Sequence, residues 1–208
     1  MVKQVKMIEQ QGKDTCPYHI RQMEPRDIHT VMMLDRLVFA DPWPESAYTQ
    51  EIYFNPLAYY FVLELTHPLQ HWRWPWKPRS TTLIGFAGMR VEQTRGHIST
   101  LAVHQDWRGM GFGELLLISA LQQTMTMKAS AVMLEVRPTN ATARNLYAKY
   151  HFIPIGRHTR YYQDGEDALL LEVPRLDASY AQQLKERRQL VEKRIQERLN
   201  SPGLLSHQ

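Results

Sequence analysis

A mixed α/β fold built on one sheet is what the sequence predicts. Apolar runs with strand-like alternation recur along the chain. Two late helical stretches alternate with strands after an uninterrupted series of strands. A glycine-punctuated turn joins one strand directly to the next helix. The order read is β-α-α-β-β-β-α-β-α-β-β, followed by a charged C-terminal helix, with no internal repeat.

Residues 1–17 are polar and read as an N-terminal extension. Tyr18–Met23 alternates enough for a first strand. From Pro25 to Phe39, the residues Ile28, Val31, Met32, Leu34, Asp35 and Val38 recur at helical spacing. Pro25 suits the first turn, where its missing N–H costs nothing. Asp41-Pro-Trp-Pro44 breaks that helix, because proline removes a donor and restricts the residue before it. Ser46 is the N-cap candidate of a second short helix ending at Phe54. Tyr59–Leu65, Leu83–Val91 and Gly96–Val103 read as successive strands. A helix over 111–128 follows, with Leu115, Leu116, Ile118 and Leu121 on its buried side. Ala131–Arg137 is a strand stopped by Pro138, Asn140–Tyr150 is a short helix, and strands near Phe152–Tyr161 and Ala168–Val173 follow. One domain is thus expected over 18–174. It carries an insertion, 67–81, with three Trp and three basic residues. The remainder, 175–208, is a helical tail in which Tyr180, Leu184, Val191, Ile195 and Leu199 form a thin stripe interrupted near Arg188. Such a stripe fits docking on the domain, pairing with another chain, or a solvated helix.

The 208 residues carry a net charge of +4 and one cysteine, Cys16. A lone cysteine excludes an intramolecular disulfide framework and a thiolate zinc cluster, and suits a reducing compartment. No apolar run approaches the roughly 20 residues of a membrane span, and the polar N-terminus lacks the apolar stretch of a secretory signal. A cytoplasmic protein with no membrane partner is therefore expected. No metal site is expected either. The nine histidines are scattered, and His67 and His71 flank a proline without an acidic companion.

The most informative stretch is Leu101–Leu117. A strand ends near Val103, a turn runs from Arg108 to Gly113, and a helix starts. The first N–H groups of a helix have no intrahelical partner, and its dipole places partial positive charge there, so this arrangement is an anion cradle. Gly109, Gly111 and Gly113 remove side chains that would keep a phosphate from the backbone. The dinucleotide spacing fails, because the sixth position is Glu114 or Leu116, and no Walker-type Gly-Lys-Ser/Thr occurs. On this stretch alone, an anion site and a ligand-free glycine turn are both open.

The second stretch is Leu134–Phe152. A carboxylate inside a strand, Glu135, calls for a partner or a task, since burying a charge is costly. A same-face ion pair with Arg137 would answer it, as would catalysis. Tyr147 on the following helix fits core packing with a satisfied hydroxyl, and Asn140 fits an N-cap.

Four segments taken together carry a resemblance. Arg108-Gly-Met-Gly-Phe-Gly113 has the form Arg/Gln-x-x-Gly-x-Gly/Ala. Leu134-Glu-Val-Arg-x-x-Asn140-x-x-Ala-x-x-Leu-Tyr147-x-x-x-x-Phe152 follows it, preceded by Asp41-Pro-Trp43-Pro-Glu45 and closed by Arg160-Tyr-Tyr162 and Asp164-Gly-Glu-Asp167-Ala-Leu. From Tyr18 to Val173 the chain resembles the GCN5-related N-acetyltransferases, most closely the branch that acetylates alanine of bacterial ribosomal proteins. The 67–81 insertion and the 175–208 tail depart from that pattern.

The resemblance implies a mostly antiparallel sheet with helices on both faces, and acetyl-CoA as acetyl donor, with no metal. It places the pyrophosphate on the backbone of Arg108, Gly109, Met110, Gly111, Phe112, Gly113 and Glu114. It lets two strands splay so that the pantetheine arm pairs with Leu101, Ala102 and Val103, whose backbone N–H groups stabilise the oxyanion. It makes Glu135 the general base, working through water, and Tyr147 the general acid. Asn140 contacts the pantetheine arm or the amine, and Trp43, Tyr161 and Tyr162 wall a peptide groove. The implied activity is direct transfer, in a ternary complex, to the N-terminal amine of a protein, a ribosomal protein in that branch. Proton bookkeeping favours such an amine. With a pKa near ~8, about a tenth of an α-amino group is neutral at pH 7, against a few in ten thousand of lysine. Two other readings stay open: acetylation of lysine or a small amine, and a non-catalytic acetyl-CoA module that docks on RNA or a ribosome through the insertion or tail.

Overall fold

The computed structural model describes residues 17–67 and 80–201. The expectations for Cys16 and the extension over 1–16, for His71 and the Trp/Arg cluster within 68–79, and for the tail past 201 lie outside the described residues.

Seven strands form one sheet in the order β1-β2-β3-β4-β5-β7-β6. They are β1 (Tyr18–Gln22), β2 (Ala58–His67), β3 (Ser80–Glu92), β4 (Arg95–Val103), β5 (Ala131–Val136), β6 (Ile153–His158) and β7 (Ala168–Val173). Every neighbouring pair is antiparallel except β4 and β5, which run parallel. The helices are α1 (Ile28–Val38), α2 (Glu45–Thr49), α3 (Phe112–Thr126), α4 (Ala141–Lys149) and α5 (Ala178–Leu199). The element order is the expected one.

Strand alternation divides the core in two. On β2, Tyr60 and Val62 face a cluster with Val31, Met32, Leu34 and Tyr48 of α1 and α2. Phe61, Leu63 and Leu65 face the opposite way, into a larger cluster with α3, α4 and α5. The sheet is therefore covered on both faces.

Three local details differ from expectation. The second helix starts at Glu45 with Pro44 as its N-cap, so Ser46 is inside it. Proline's fixed φ suits the extended backbone a cap needs, and the cap lies two residues earlier than expected. The continuation Gln50–Phe54 is wound as a π-helix. The first helix opens with a 3-10 turn, Pro25–Asp27, in which Glu24 and Asp27 form a reciprocal capping box.

The larger finding concerns α3 and α5. Leu115, Leu116, Leu117, Ile118, Ala120 and Leu121 are all buried, so α3 is apolar nearly all round. One side meets the sheet and the other meets α5. Of the three arrangements open to the C-terminal stripe, docking on the domain is the one found. Tyr180, Leu184, Val191 and Ile195 join the large core. Arg188, the interruption, reaches polar groups of α3: Ser119 Oγ at 3.1 Å and Gln122 Oε1 at 3.0 Å. Asp177 caps α5 through the Tyr180 N–H at 2.9 Å, and the Tyr180 hydroxyl donates to the Tyr150 carbonyl at 2.9 Å.

Candidate functional site

The site begins where β4 and β5 part. Their parallel pairing runs from Arg95↔Ala131 to Ile98↔Leu134 and goes no further. Ser99 is the next residue, and it is the extra one in the β3–β4 ladder, which passes from Met89↔Ile98 to Gly88↔Thr100. A bulge bends its strand. Here it turns Thr100–Val103 away from β5 and leaves that backbone edge without a β5 partner. The gap opens into a cleft of about 620 Å³. Leu101, Glu135, Asn140, Tyr147, Trp43, Tyr161 and Tyr162 all line it. Seven of the residues singled out from sequence thus meet in one cavity. Ala102, Val103 and the turn from Arg108 to Glu114 do not line it.

Glu135 has a partner that sequence reasoning missed. His97 Nε2 lies 2.6 Å from Glu135 Oε2, and both side chains are largely buried. The expected Glu135–Arg137 pair is not formed. Arg137 lies one residue past β5 and turns to other carboxylates, while β4 supplies the partner of Glu135 across the parallel ladder. Burial works to raise the Glu135 carboxyl; the hydrogen bond and charge of His97, with the charge of His158, outweigh it and hold the group below the usual glutamate value. His97 also lines a second cavity, of about 350 Å³, with Arg90, Glu92 and Arg95. Its Nδ1 is buried with no partner among the described residues.

Tyr147 is buried on α4 against Phe152, ring centroids 5.6 Å apart. Burial, with the neighbouring Tyr162, pushes its hydroxyl up to about 12, so it keeps its proton at neutral pH. Asn140 caps α4 by accepting from the Ala143 N–H at 3.1 Å, while also lining the cleft.

Arg137, one residue past β5, ties the cleft walls together. Its guanidinium reaches Asp41 at 2.8 Å in the turn after α1, and Asp164 at 2.7 Å and Glu166 at 2.8 Å in the turn before β7. It also stacks over the Tyr162 ring at 3.7 Å. Asp35, read from sequence as one more position on the buried face of α1, anchors the opposite wall: its carboxylate accepts the Trp43 N–H at 2.6 Å. Burial raises the Asp35 carboxyl.

The glycine turn stands at the far end of β4. Gly109 and Gly111 have φ of +75° and +110°, which L side chains rarely adopt, and Gly111 is the N-cap of α3. A Cβ on Gly109 would meet nothing within 4 Å, and one on Gly113 would meet Val103 and Leu101 at 3.8 and 3.9 Å. The backbone at Gly109 is thus open to solvent, while a Cβ on Gly111 would meet Ile195 and Arg194 at 3.1 and 3.3 Å. Met110 and Phe112 are buried, so their side chains serve packing and only their backbone faces the cradle. Arg108 donates through Nε to the Val103 carbonyl at 3.2 Å. The Glu114 carboxylate turns away, to the Tyr150 hydroxyl at 3.0 Å and Arg194 at 2.5 Å.

Residues 28–152 match the model of the acetyltransferase (GNAT) family. The chain belongs to that family. A Bacillus subtilis relative, provisionally named a ribosomal protein bS18-alanine N-acetyltransferase, is 31% identical over 155 residues, covering 74% of this chain and 93% of the relative. An N-alpha-acetyltransferase of Sulfurisphaera tokodaii is 28% identical over 171 residues, covering 79% and 97%. Among solved structures, the NatC complex bound to Gag peptide and CoA shares the fold with a TM-score of 0.61 at 23% identity, covering 77% of this chain and 100% of the other. The GNAT assignment makes the protein an acetyltransferase. It also agrees with the observed sheet: mostly antiparallel, covered on both faces, and split between its parallel strands. Among the described residues no cluster of metal-ligating side chains occurs, and no helix is long and apolar enough to cross a membrane.

Proposed function

We propose that this acetyltransferase transfers the acetyl group of acetyl-CoA to the N-terminal amine of a protein in the cytoplasm, with a ribosomal protein as substrate. The observation that carries the reading is the meeting of Glu135 and Tyr147 in the cleft that opens where β4 and β5 part. The names of the Bacillus and Sulfurisphaera relatives support the choice of amine and substrate.

Acetyl-CoA supplies an activated thioester. The backbone of Arg108, Gly109, Met110, Gly111, Phe112, Gly113 and Glu114 would hold its diphosphate. The freed edge of Leu101, Ala102 and Val103 would take the pantetheine arm by strand-like pairing and polarise the carbonyl through an N–H. Glu135, ionised because His97 holds it so, would accept the proton of the incoming ammonium directly or through water. Tyr147 would direct its hydroxyl at the departing sulfur. Asn140 keeps its amide N–H₂ for the pantetheine arm or the amine, its oxygen being spent on the helix cap. Trp43, Tyr161 and Tyr162 would flank the first residues of the peptide. Direct transfer needs no covalent enzyme intermediate.

The test is mass spectrometry of a peptide panel after reaction with acetyl-CoA, pairing free N-termini with blocked N-termini that carry lysine. Acetylation of the free α-amines is expected. Transfer confined to lysine or to polyamines would overturn the proposal, and binding of acetyl-CoA with no transfer would favour a non-catalytic module.

A further inference from the structure

The last turns of α5 lie over the glycine cradle. Ile195 Cγ1 and Arg194 Nη2 stand 3.1 and 3.3 Å from where a Cβ on Gly111 would sit. Arg194 pairs with Glu114 at 2.5 Å, and Arg198 donates to the Gly109 carbonyl. This helix lies outside the family match, which ends at residue 152.

The contacts have an electrostatic consequence. Glu114 sits in the first turn of α3, beside the N–H groups that would face an anion. An unpaired carboxylate there would repel phosphate. Arg194 cancels it, helped by the Tyr150 hydroxyl on the other oxygen, and holds it below the usual glutamate value against the upward pull of burial. The C-terminal end of a helix also carries partial negative charge, so α5 without its arginines would oppose an anion. Arg198 does more than compensate. It bonds the Gly109 carbonyl at the turn itself. The guanidinium has further N–H donors beyond the one used, and the side chain is exposed. Arg194 Nε is buried with no partner among the described residues.

We infer that α5 is a second wall of the coenzyme site, with Arg194 neutralising Glu114 and Arg198, at the edge of the glycine turn, contacting the phosphates of the coenzyme. The inference rests on the reading of the glycine turn as an acetyl-CoA site.

Calorimetric titration with CoA and with S-acetylpantetheine, which lacks the nucleotide phosphates, tests it on the full chain. Arg198→Ala is expected to bind CoA about tenfold more weakly, as loss of one charge-assisted contact implies. Its affinity for S-acetylpantetheine should equal that of the wild type. Lys193→Ala, on the same helix and paired only loosely with Glu197 at 4.0 Å, should bind CoA like the wild type. The melting temperature of each free variant checks that the fold is kept. Unchanged CoA affinity in Arg198→Ala would overturn the inference, and so would an equal loss for both ligands. If the wild type does not bind CoA, both the inference and the proposed function fail. If it binds CoA but acetylates no α-amine, only the proposed function fails, and the same affinities still decide the role of Arg198.

Discussion

The two ends of the β4–β5 gap hold charge in opposite ratios. Around the open cleft, Arg137 pairs with Asp41, Asp164 and Glu166. Over the glycine cradle, Glu114 alone faces Arg194, with Arg198 and Arg108 beside it. The acidic end is where a cationic amine would arrive, and the basic end is where phosphates would lie. Opposite charge at the two places would orient a cation and an anion before any contact forms. The difference would let a cation and a polyanion approach opposite ends of one strand without competing.

Removing the proposed base, Glu135, should have the largest effect. Glu135→Gln keeps the shape of the side chain and a hydrogen bond to His97 but loses the carboxylate. We expect kcat/KM for N-terminal peptides to fall about 10²- to 10⁴-fold. Tyr147→Phe should cost less, on the order of 10². A phenol at about 12 is a weaker acid than an ordinary thiol near ~8.5, so full proton transfer from Tyr147 to the sulfur runs uphill. On the proposed mechanism a hydrogen bond to the sulfur is then the larger part expected of Tyr147. Initial rates at saturating acetyl-CoA check both values. Wild-type rates in both variants would move catalysis out of this cleft.

The sequence signalled the basic end through local chemistry and the acidic end only in fragments. Glycines at 109 and 111 announce a backbone that few residues adopt, and their spacing before an apolar helix is a property of neighbours in the chain. Glu135 and Tyr147 were legible for a similar reason, because one strand and the next helix carry both. His97 was not. It precedes Glu135 by 38 residues, and only the parallel register of β4 on β5 brings them together. Nothing in a strand's own alternation states which strand will lie beside it. Arg137 was read as a partner for Glu135 because same-face spacing is visible locally, while its three carboxylates lie in two distant turns. The α5 stripe left docking, pairing and solvation open because it is thin and Arg188 interrupts it. The polar groups that accept Arg188, on Ser119 and Gln122, belong to a helix some 70 residues earlier, and only the tertiary fold could show that the interruption fits.

Loosening the acidic end should separate substrate binding from coenzyme binding. Arg137→Met removes the link between the turn after α1 and the turn before β7, and leaves Asp41, Asp164 and Glu166 without their shared cation. Both walls then lose a fixed position. The expected result is a rise of about tenfold in the KM for peptide, with the affinity for CoA unchanged. Measured together, the two constants sharpen the comparison, because a variant that weakened both equally would show that the ends of the cleft are not independent.

The smallest effect is one of stability and lies at the basic end. The Glu114 carboxyl is held below its ordinary value by Arg194 and Tyr150 despite burial. A group whose folded pKa is depressed contributes stability above its unfolded value, near ~4.3. That contribution is lost as pH falls through the folded value. Glu114→Gln should therefore melt below the wild type at pH 6 to 8, by an amount equivalent to about 1 kcal/mol, allowing for solvent screening of the half-exposed Arg194. The difference should shrink as pH drops below ~4 and vanish once Glu114 is protonated in both states. Thermal melts of the two proteins across that range test the sign directly. A gap that stayed constant into acid would mean that α5 is held over the glycine cradle by its apolar stripe alone, with no part played by the Arg194–Glu114 pair.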